Sequence, residues 1–188
     1  MAHTPGIYPS VTQILSPWSD FNSVPPDVLA AASERGTLVH QVCLAEAVGG
    51  WAVPDDVTAP YLESFCLWLP RVEVIAVEFE VINHTMRYMG HPDLTVRFKG
   101  DRGLSLIDIK TPRLYNPVWR AQLAAYRAAA LTMPEYADIE RIASLRLSPE
   151  GKAPILNESS STYAIDLNGF YNSLAAWYYF QGLKRKDF

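Results

Sequence analysis

The sequence predicts an α/β (or α+β) domain in which a mixed central β-sheet is flanked by helices. Its apolar residues recur with helical spacing up to residue 70, alternate as in strands between Val72 and Lys110, and return to helical spacing after Asn116. Hydrophobic residues make up 49% of the chain, as in globular proteins that bury a full core. The length of 188 residues favours one domain, 1–188, with residues 1–26 as an N-terminal arm.

The first third of the chain is predicted to contain this arm and two helices. The arm is rich in Pro, Ser and Thr, and one short helical turn is predicted at residues 11–15. A helix is predicted over residues 27–48, where apolar side chains share one helical face and Gly49 and Gly50 follow. A second helical pattern covers residues 54–70.

Three strands are predicted next, and we expect them to form an antiparallel meander. The first covers residues 72–81 and is mostly apolar, as in a buried strand. The second covers residues 91–98 and the third residues 104–110. Residues 99–103 join these two strands in a turn that contains two glycines.

The last third of the chain is predicted to alternate again. Asn116 and Pro117 favour the start of an alanine-rich helix that ends near Thr132. A fourth strand is predicted over residues 140–147, and a fifth, at a sheet edge, over residues 163–167. Asn168 is predicted to cap a last helix that runs to about residue 183.

Composition restricts the possible functions. The net charge of −4 argues against non-specific binding of nucleic acid through bulk charge, but not against a nucleic-acid enzyme with locally clustered charges. The two cysteines, Cys43 and Cys66, cannot form a four-cysteine iron–sulfur or zinc site. No signal peptide and no apolar run of about 18 residues is found, so we expect a cytoplasmic protein without a membrane partner.

The chemically informative residues are Asp93, Asp108 and Lys110. Residues two apart on a strand share a face, so Asp108 and Lys110 project together, and the predicted hairpin brings Asp93 beside them. Carboxylate oxygens and water are the ligands that Mg²⁺ or Mn²⁺ prefers, and the carbonyl of Ile109 can add another. The lysine can hold an attacking water, which together with a metal suits phosphodiester hydrolysis. The alternative is an ordinary ion pair on an edge strand.

Several motifs taken together resemble the RecB-like, phage λ-type exonuclease branch of the PD-(D/E)XK nuclease superfamily, which includes the mitochondrial genome maintenance exonuclease. The resemblance covers roughly residues 8–130. It is carried as a set by the following segments: Pro9-Ser-Val-Thr12, Gly36-Thr-Leu-Val-His40, Gly90-His-Pro-Asp93, Leu106-Ile-Asp108-Ile-Lys110-Thr and Gln122-Leu-Ala-Ala-Tyr126.

The resemblance implies a restriction-endonuclease-like core and specific roles for these residues. Asp93 and Asp108 correspond to the metal-binding acids, and Lys110 to the lysine that serves the nucleophilic water. Gln122 and Tyr126 match a catalytic Gln-x-x-x-Tyr motif. The family's remaining metal-site positions match the following residues: His40, and Glu78 with Glu80 as the alternative. One or two Mg²⁺ or Mn²⁺ ions are expected, without an iron–sulfur cluster.

Ordinary structural roles stay open for the outer residues of this set. His40 can be a core or surface histidine, Gln122 and Tyr126 can pack in the core, and Glu78 can be a solvated strand residue. Trp119 lies one helical turn before Gln122.

Candidate substrate contacts follow from the same helix. Arg120 and Arg127 are seven residues apart on one helical stripe, and Arg113 precedes the helix. With Trp119 they are predicted to contact substrate phosphates near the metal site, and a solvated helix face is the alternative.

The function expected from the sequence is metal-dependent exonuclease action on DNA, at single strands or duplex ends. The resemblance places it in phage or bacterial recombination, repair or replication, with a helicase, recombinase or single-strand-binding protein as possible partners. Two alternatives stay open. One is a nuclease-like module that binds nucleic acid or protein without cutting, and the other is a structure- or site-specific endonuclease.

Overall fold

The computed structural model describes residues 8–19, 24–51 and 53–184. Parts of the predicted arm, residues 1–7 and 20–23, lie outside the described residues. The helices are α1 (Val11–Leu15), α2 (Pro26–Ala47), α3 (Ala59–Trp68), α4 (Val118–Ala130) and α5 (Tyr163–Lys184). The strands are β1 (Val72–Val77), β2 (Val81–Asn83), β3 (Tyr88–Gly90), β4 (Leu94–Phe98), β5 (Leu104–Lys110), β6 (Ile139–Arg146) and β7 (Ile155–Glu158).

A five-stranded mixed sheet with the order β1-β4-β5-β6-β7 forms the centre of the fold. The pairs β1/β4 and β4/β5 are antiparallel, which confirms the predicted meander. β5 and β6 are parallel because α4 carries the chain back across the sheet, and β7 returns antiparallel to β6. The predicted fold class, a mixed sheet flanked by helices, is confirmed.

Alternate residues of β5 pack into two separate cores. Leu104 and Leu106 belong to the cluster formed with α1, α4 and α5. Ile107 and Ile109 belong to the cluster formed with α2 and α3. Since side chains alternate across a strand, Asp108 and Lys110 project from the same face as Leu104 and Leu106, toward α4.

The first predicted strand is wrong in its second half. β1 ends at Val77, and Glu78 takes a φ of +43°, which turns the chain out of the sheet. The chain then forms a small separate hairpin, β2 paired with β3, before it returns to the main sheet as β4. The next predicted strand, over residues 91–98, accordingly starts later, at Leu94.

The predicted fifth strand over residues 163–167 is also wrong, because these residues begin α5. The edge strand is β7, over residues 155–158, and Asn168 lies inside α5 and does not cap it. Tyr163, Leu167, Phe170 and Leu174 all belong to or pack against one core cluster, and their spacing of four, three and four is helical. A short alternating segment at the start of this pattern resembles a strand when it is considered alone.

Within residues 8–19, 24–51 and 53–184, the structure has no helix that is long and apolar enough to cross a membrane.

Candidate active site

The candidate site lies where β4 begins and β5 ends. Asp93 directly precedes β4, and Asp108 and Lys110 are among the last three residues of β5. His40 approaches from α2 and Gln122 from α4, so helices on both faces of the sheet contribute. The structure therefore brings together five of the residues that the sequence predicts for the site.

Asp93 is held by the end of β5 and by α2. β4 pairs with β5 only as far as Leu94 opposite Ile107, so the backbone of β5 beyond Ile107 has no strand partner on that side. The N–H of Ile109 donates to Asp93 Oδ2 at 2.6 Å, and His40 Nδ1 lies 3.0 Å from Asp93 Oδ1. Both carboxylate oxygens are thus oriented, and the side chain is buried.

The carbonyl of Ile109 lies on the same side of β5 as Asp93. The backbone groups of successive strand residues point to opposite neighbours. The carbonyl of Lys110 accepts from Leu147 N at 2.9 Å, on the β6 side. The N–H and C=O of Ile109 therefore point to the other side, where Asp93 accepts the N–H.

Asp108 and Lys110 contact each other, as their spacing of two residues predicts. Asp108 is 3% exposed, so its charge is almost removed from water. The Lys110 ammonium also donates to Gln122 Oε1 at 2.8 Å and lies 5.6 Å from the centre of the Trp119 ring. The Lys110 ammonium thus contacts the buried Asp108 carboxylate, the Gln122 amide and the face of the Trp119 ring.

Tyr126 fixes the orientation of the Gln122 amide. Gln122 Nε2 donates to the Tyr126 hydroxyl at 2.9 Å, so the acceptor end of the amide faces Lys110. Burial raises the pKa of Tyr126, and the charge of Asp108 raises it further, so the phenol is neutral. A Cβ on Gly90 would lie 2.3 Å from Tyr126 Cε1, so the ring packs directly on the backbone of β3.

The electrostatics of the site favour added positive charge. Burial raises the pKa of Asp108, and nearby Asp93 raises it further, although Lys110 acts in the opposite direction. Burial of the His40 imidazole lowers its pKa, but the charge of Asp93 and the hydrogen bond to it outweigh burial, so the net pKa is raised. The negative charge of Asp93 thus favours a cation next to it, and a cation beside Asp108 would offset the cost of burying its charge.

The donor atoms fit a hydrated divalent ion. The described residues contain no group of three or more His, Cys, Asp or Glu side chains arranged to hold a metal. Mg²⁺, however, usually keeps several waters and takes one or two protein carboxylates, so it does not need such a cage. Asp93, Asp108 and the Ile109 carbonyl provide oxygen donors of this kind, and the His40 imidazole suits Mn²⁺.

The two glutamates proposed as metal ligands lie differently. The Glu78 N–H donates to the Asp93 carbonyl at 2.8 Å, and its exposed side chain lines a groove of about 630 Å³ with His40 and Asp93. Glu80 Oε2 lies 3.6 Å from His91 Nε2. Glu78 is therefore the glutamate that shares a surface with the candidate site.

The three arginines predicted to bind substrate have intramolecular partners. Arg120 forms two contacts with Asp166 of α5, at 2.8 and 3.0 Å. Arg127 donates to the Ile139 carbonyl at 2.9 Å and lies over the Tyr163 ring, so it joins α4 to β6 and α5. Arg113 pairs with Glu150 at 2.7 Å, and its side chain is 75% exposed.

A second cavity, of about 270 Å³, lies on the α4 side of the site. Lys110, Trp119 and Gln122 line it, together with Thr12 and Ser19 from the N-terminal arm. Thr12 belongs to the Pro9-Ser-Val-Thr12 motif, but the sequence assigned neither arm residue to the site, because nothing local indicates that α1 packs on α4. Lys110 is thus accessible from one cavity, and His40 and Asp93 are accessible from another.

Gln122 contacts the Lys110 ammonium. For the nuclease activity expected from the sequence, Gln122→Leu should therefore slow DNA cleavage about 10- to 100-fold, as loss of a residue that orients a metal-site group does. Gln122→Glu keeps an oxygen acceptor for the ammonium and should retain more activity. Tyr126→Phe, which removes only the phenolic oxygen, should have the smallest effect. Single-turnover cleavage rates measure this order, and equal rates for the Leu and Glu variants would contradict it.

Comparisons with known proteins give structural similarities at low identity. LHK-Exo in complex with dAMP is 14% identical, over 95% of this chain and 92% of that chain, with a TM-score of 0.45. A structure of the alkaline exonuclease LHK-Exo from Laribacter hongkongensis is 15% identical, over 93% and 91%, with a TM-score of 0.38. SSO0001 is 14% identical, over 72% and 84%, with a TM-score of 0.29. No protein-family model and no curated protein matches the chain.

Proposed function

We propose that the protein is a metal-dependent deoxyribonuclease of the PD-(D/E)XK type that hydrolyses DNA phosphodiester bonds. The observation that carries this proposal is the convergence of Asp93, Asp108 and Lys110 at one end of β5. An ordinary edge-strand ion pair does not explain it, because β5 is central in the sheet and Asp108 is buried. A buried acid pair with one lysine is costly for folding and therefore suggests a function.

The acids and one carbonyl would hold the metal. Asp93, Asp108 and the Ile109 carbonyl would bind Mg²⁺ or Mn²⁺, with His40 and Glu78 as further candidate ligands. When bound, the ion supplies Lewis-acid stabilisation of the charge that develops on the phosphate oxygens. The Asp93 carboxylate is oriented for metal binding at both oxygens. The Ile109 N–H holds one of them in place, and His40 orients the other.

Lys110 holds and orients the attacking water. Its ammonium has three donors, and Asp108 and Gln122 account for two contacts, which leaves at least one donor for another acceptor such as water. Gln122 holds the ammonium from the α4 side, and Tyr126 keeps the Gln122 amide in the productive orientation. The positive charge next to the water stabilises the hydroxide character that develops during in-line attack.

The finer assignment follows the motif resemblance. We propose exonuclease action in the RecB-like, λ-type branch, in the cytoplasm of a bacterium or a phage-infected cell. Recombination, repair or replication is the corresponding process, and a helicase, recombinase or single-strand-binding protein is the class of partner that would supply or protect DNA ends.

A cleavage assay tests this function. Linear end-labelled DNA and a covalently closed circle are incubated with Mg²⁺, Mn²⁺ or EDTA. We expect the linear DNA to be degraded with either metal, the circle to survive, and EDTA to stop the reaction. Lys110→Met should slow cleavage at least about 100-fold, which is the effect of removing one preorganised charge from an active site.

The matched control is Lys99→Met, which changes an exposed lysine in the turn at the other end of β4. It should cleave like the wild type. Cleavage of the circle would indicate an endonuclease. Cleavage in EDTA, or an equal loss in both lysine variants, would contradict the mechanism, and binding without any cleavage would favour a non-cutting module.

A further inference from the structure

An exposed aromatic cavity lies beside the candidate active site. This cavity, which we call the aromatic cavity, has a volume of about 680 Å³. Its walls include Trp18, Leu114, Tyr115 and Trp119. Trp18 is 61% exposed and Leu114 82% exposed, whereas Trp119 is buried behind them. Tyr115 meets the Trp119 ring edge to face at 5.4 Å, which holds the tyrosine in place.

The aromatic cavity is continuous with the wall of the site. Ser19, Asn116, Val118 and Trp119 line both this cavity and the smaller one that contains Lys110. A chain of nucleotides leaving Lys110 on the α4 side would therefore pass directly over Trp18 and Tyr115.

A basic rim borders the aromatic cavity on the β6 side. Arg113 lines both the aromatic cavity and a neighbouring cavity of about 280 Å³. Arg146 and Lys152 also line this neighbouring cavity. Arg146 is in register with Lys110 across the parallel β5/β6 pair, so it extends the positive charge outward from the site. Glu150, which pairs with Arg113, is the one carboxylate among the described residues that line these two cavities, and Arg146 and Lys152 add two further positive charges. The local charge is thus positive although the chain as a whole carries −4.

Exposed aromatic faces beside arginine and lysine side chains match the chemistry of an unpaired nucleic-acid strand. Free bases stack on aromatic rings, and the phosphates between them take arginine and lysine. Bases inside a duplex are stacked on both faces, so only a terminal base pair could stack on Trp18 or Tyr115, whereas every base of a single strand can. A protein partner would not explain why the basic rim is aligned with Lys110.

We propose that the aromatic cavity and the basic rim bind single-stranded nucleic acid, with bases on Trp18 and Tyr115 and phosphates on Arg113, Arg146 and Lys152. The inference rests on the proposed function, since it assigns the strand that leads to Lys110. According to this inference, the enzyme binds its substrate as a single strand.

Binding can be measured without cleavage. The Asp108→Asn protein in EDTA is titrated against fluorescein-labelled oligothymidine, an abasic strand of equal length, and a blunt duplex, and anisotropy gives each Kd. Oligothymidine should bind tightest. Adding Trp18→Ala should weaken oligothymidine binding about 5- to 150-fold and leave the abasic strand almost unchanged, since one base–aromatic stack is lost.

Three variants serve as controls for this measurement. Trp51→Ala removes a tryptophan that is 92% exposed and lines none of these cavities, so it should not change binding. Trp18→Phe keeps a stacking face and should restore most of the affinity. Lys152→Ala should weaken binding of the thymidine and abasic strands equally and reduce the salt dependence, as loss of one phosphate contact does.

The outcomes separate this inference from the proposed function. Equal affinity for all three probes, or no effect of Trp18→Ala, overturns the inference even if the wild type cleaves DNA. Binding to oligothymidine that depends on Trp18, in a wild-type protein that never cleaves with metal, supports the inference and overturns the proposed function.

Discussion

Replacing Asp108 with asparagine is expected to abolish cleavage while leaving the metal-free protein as stable as the wild type or more stable. The activity should fall at least about 1000-fold, because the substitution removes a negatively charged oxygen donor from the proposed metal site beside Lys110. Asparagine has nearly the same volume, so the packing between β5 and α4 is kept.

The expected effect on stability follows from the sign of the pKa shift. Burial raises the pKa of Asp108 in the folded protein, so folding disfavours the ionised form. The stability that protonated Asp108 contributes is fully present below the pKa that Asp108 has in the unfolded chain. It is lost as pH rises through the raised pKa of Asp108 in the folded protein. At a pH above the unfolded pKa, Asp108 therefore contributes less to stability than a permanently neutral group would, and the neutral amide removes that cost. A residue kept for folding alone would show the opposite result.

The measurement pairs thermal melting in EDTA with single-turnover cleavage in Mg²⁺. Asp101→Asn is the matched control, since Asp101 lies at the other end of β5 and pairs with Arg141 on the surface at 2.8 Å. It should keep full activity and change stability by at most about 1 kcal/mol. A large loss of stability in Asp108→Asn, or cleavage at the wild-type rate, would show that Asp108 is a structural residue.

The inner site could be predicted because it depends on short-range geometry. The spacing of Asp108 and Lys110 puts them on one face of any strand, and a hairpin between Asp93 and Asp108 brings these acids together in any antiparallel meander. Gln122 and Tyr126 are likewise one helical turn apart, and the structure joins them by a hydrogen bond. None of these relations requires knowledge of distant packing.

The outer residues could not be predicted because their partners are distant in sequence. Arg120 lies on the helical stripe that the sequence selected, but Asp166 reaches it from α5, 46 residues away. The strand predicted at Tyr163 fails for the same reason, since only the packing of Phe170 and Leu174 on the core shows that the pattern is helical. Trp18 is related to Lys110 through cavities that join segments almost a hundred residues apart.

Gly90→Ala is expected to destabilise the protein by roughly 2–4 kcal/mol. The molecules that remain folded should cleave DNA about tenfold more slowly than the wild type. The added Cβ would lie 2.3 Å from Tyr126 Cε1 and 2.6 Å from Cδ1, distances that non-bonded carbons do not reach. Gly90 does not have a positive φ, so the requirement comes from the approach of the ring and not from the backbone.

Tyr126 cannot move away from the added methyl group without disturbing the site. Tyr126 is 4% exposed and packs in the cluster that includes Val11 and Leu123, so closely packed neighbours resist a displacement of its ring. Its hydroxyl accepts from Gln122, which in turn holds Lys110. A displaced ring therefore loosens the lysine, and the overpacking in β3 is transmitted to the end of β5 that carries Asp108 and Lys110.

A double-mutant cycle tests this coupling. Chemical denaturation and single-turnover rates are measured for Gly90→Ala, Tyr126→Leu and the double variant, with Gly169→Ala as the control. A Cβ on Gly169 meets no atom within 4 Å, so alanine in α5 should be neutral or stabilising by up to about 1 kcal/mol. Tyr126→Leu makes room for the methyl group, so the double variant should be more stable than the sum of the single losses predicts. Additive losses, or a Gly90→Ala protein that unfolds like the wild type, would show that Tyr126 does not depend on this glycine.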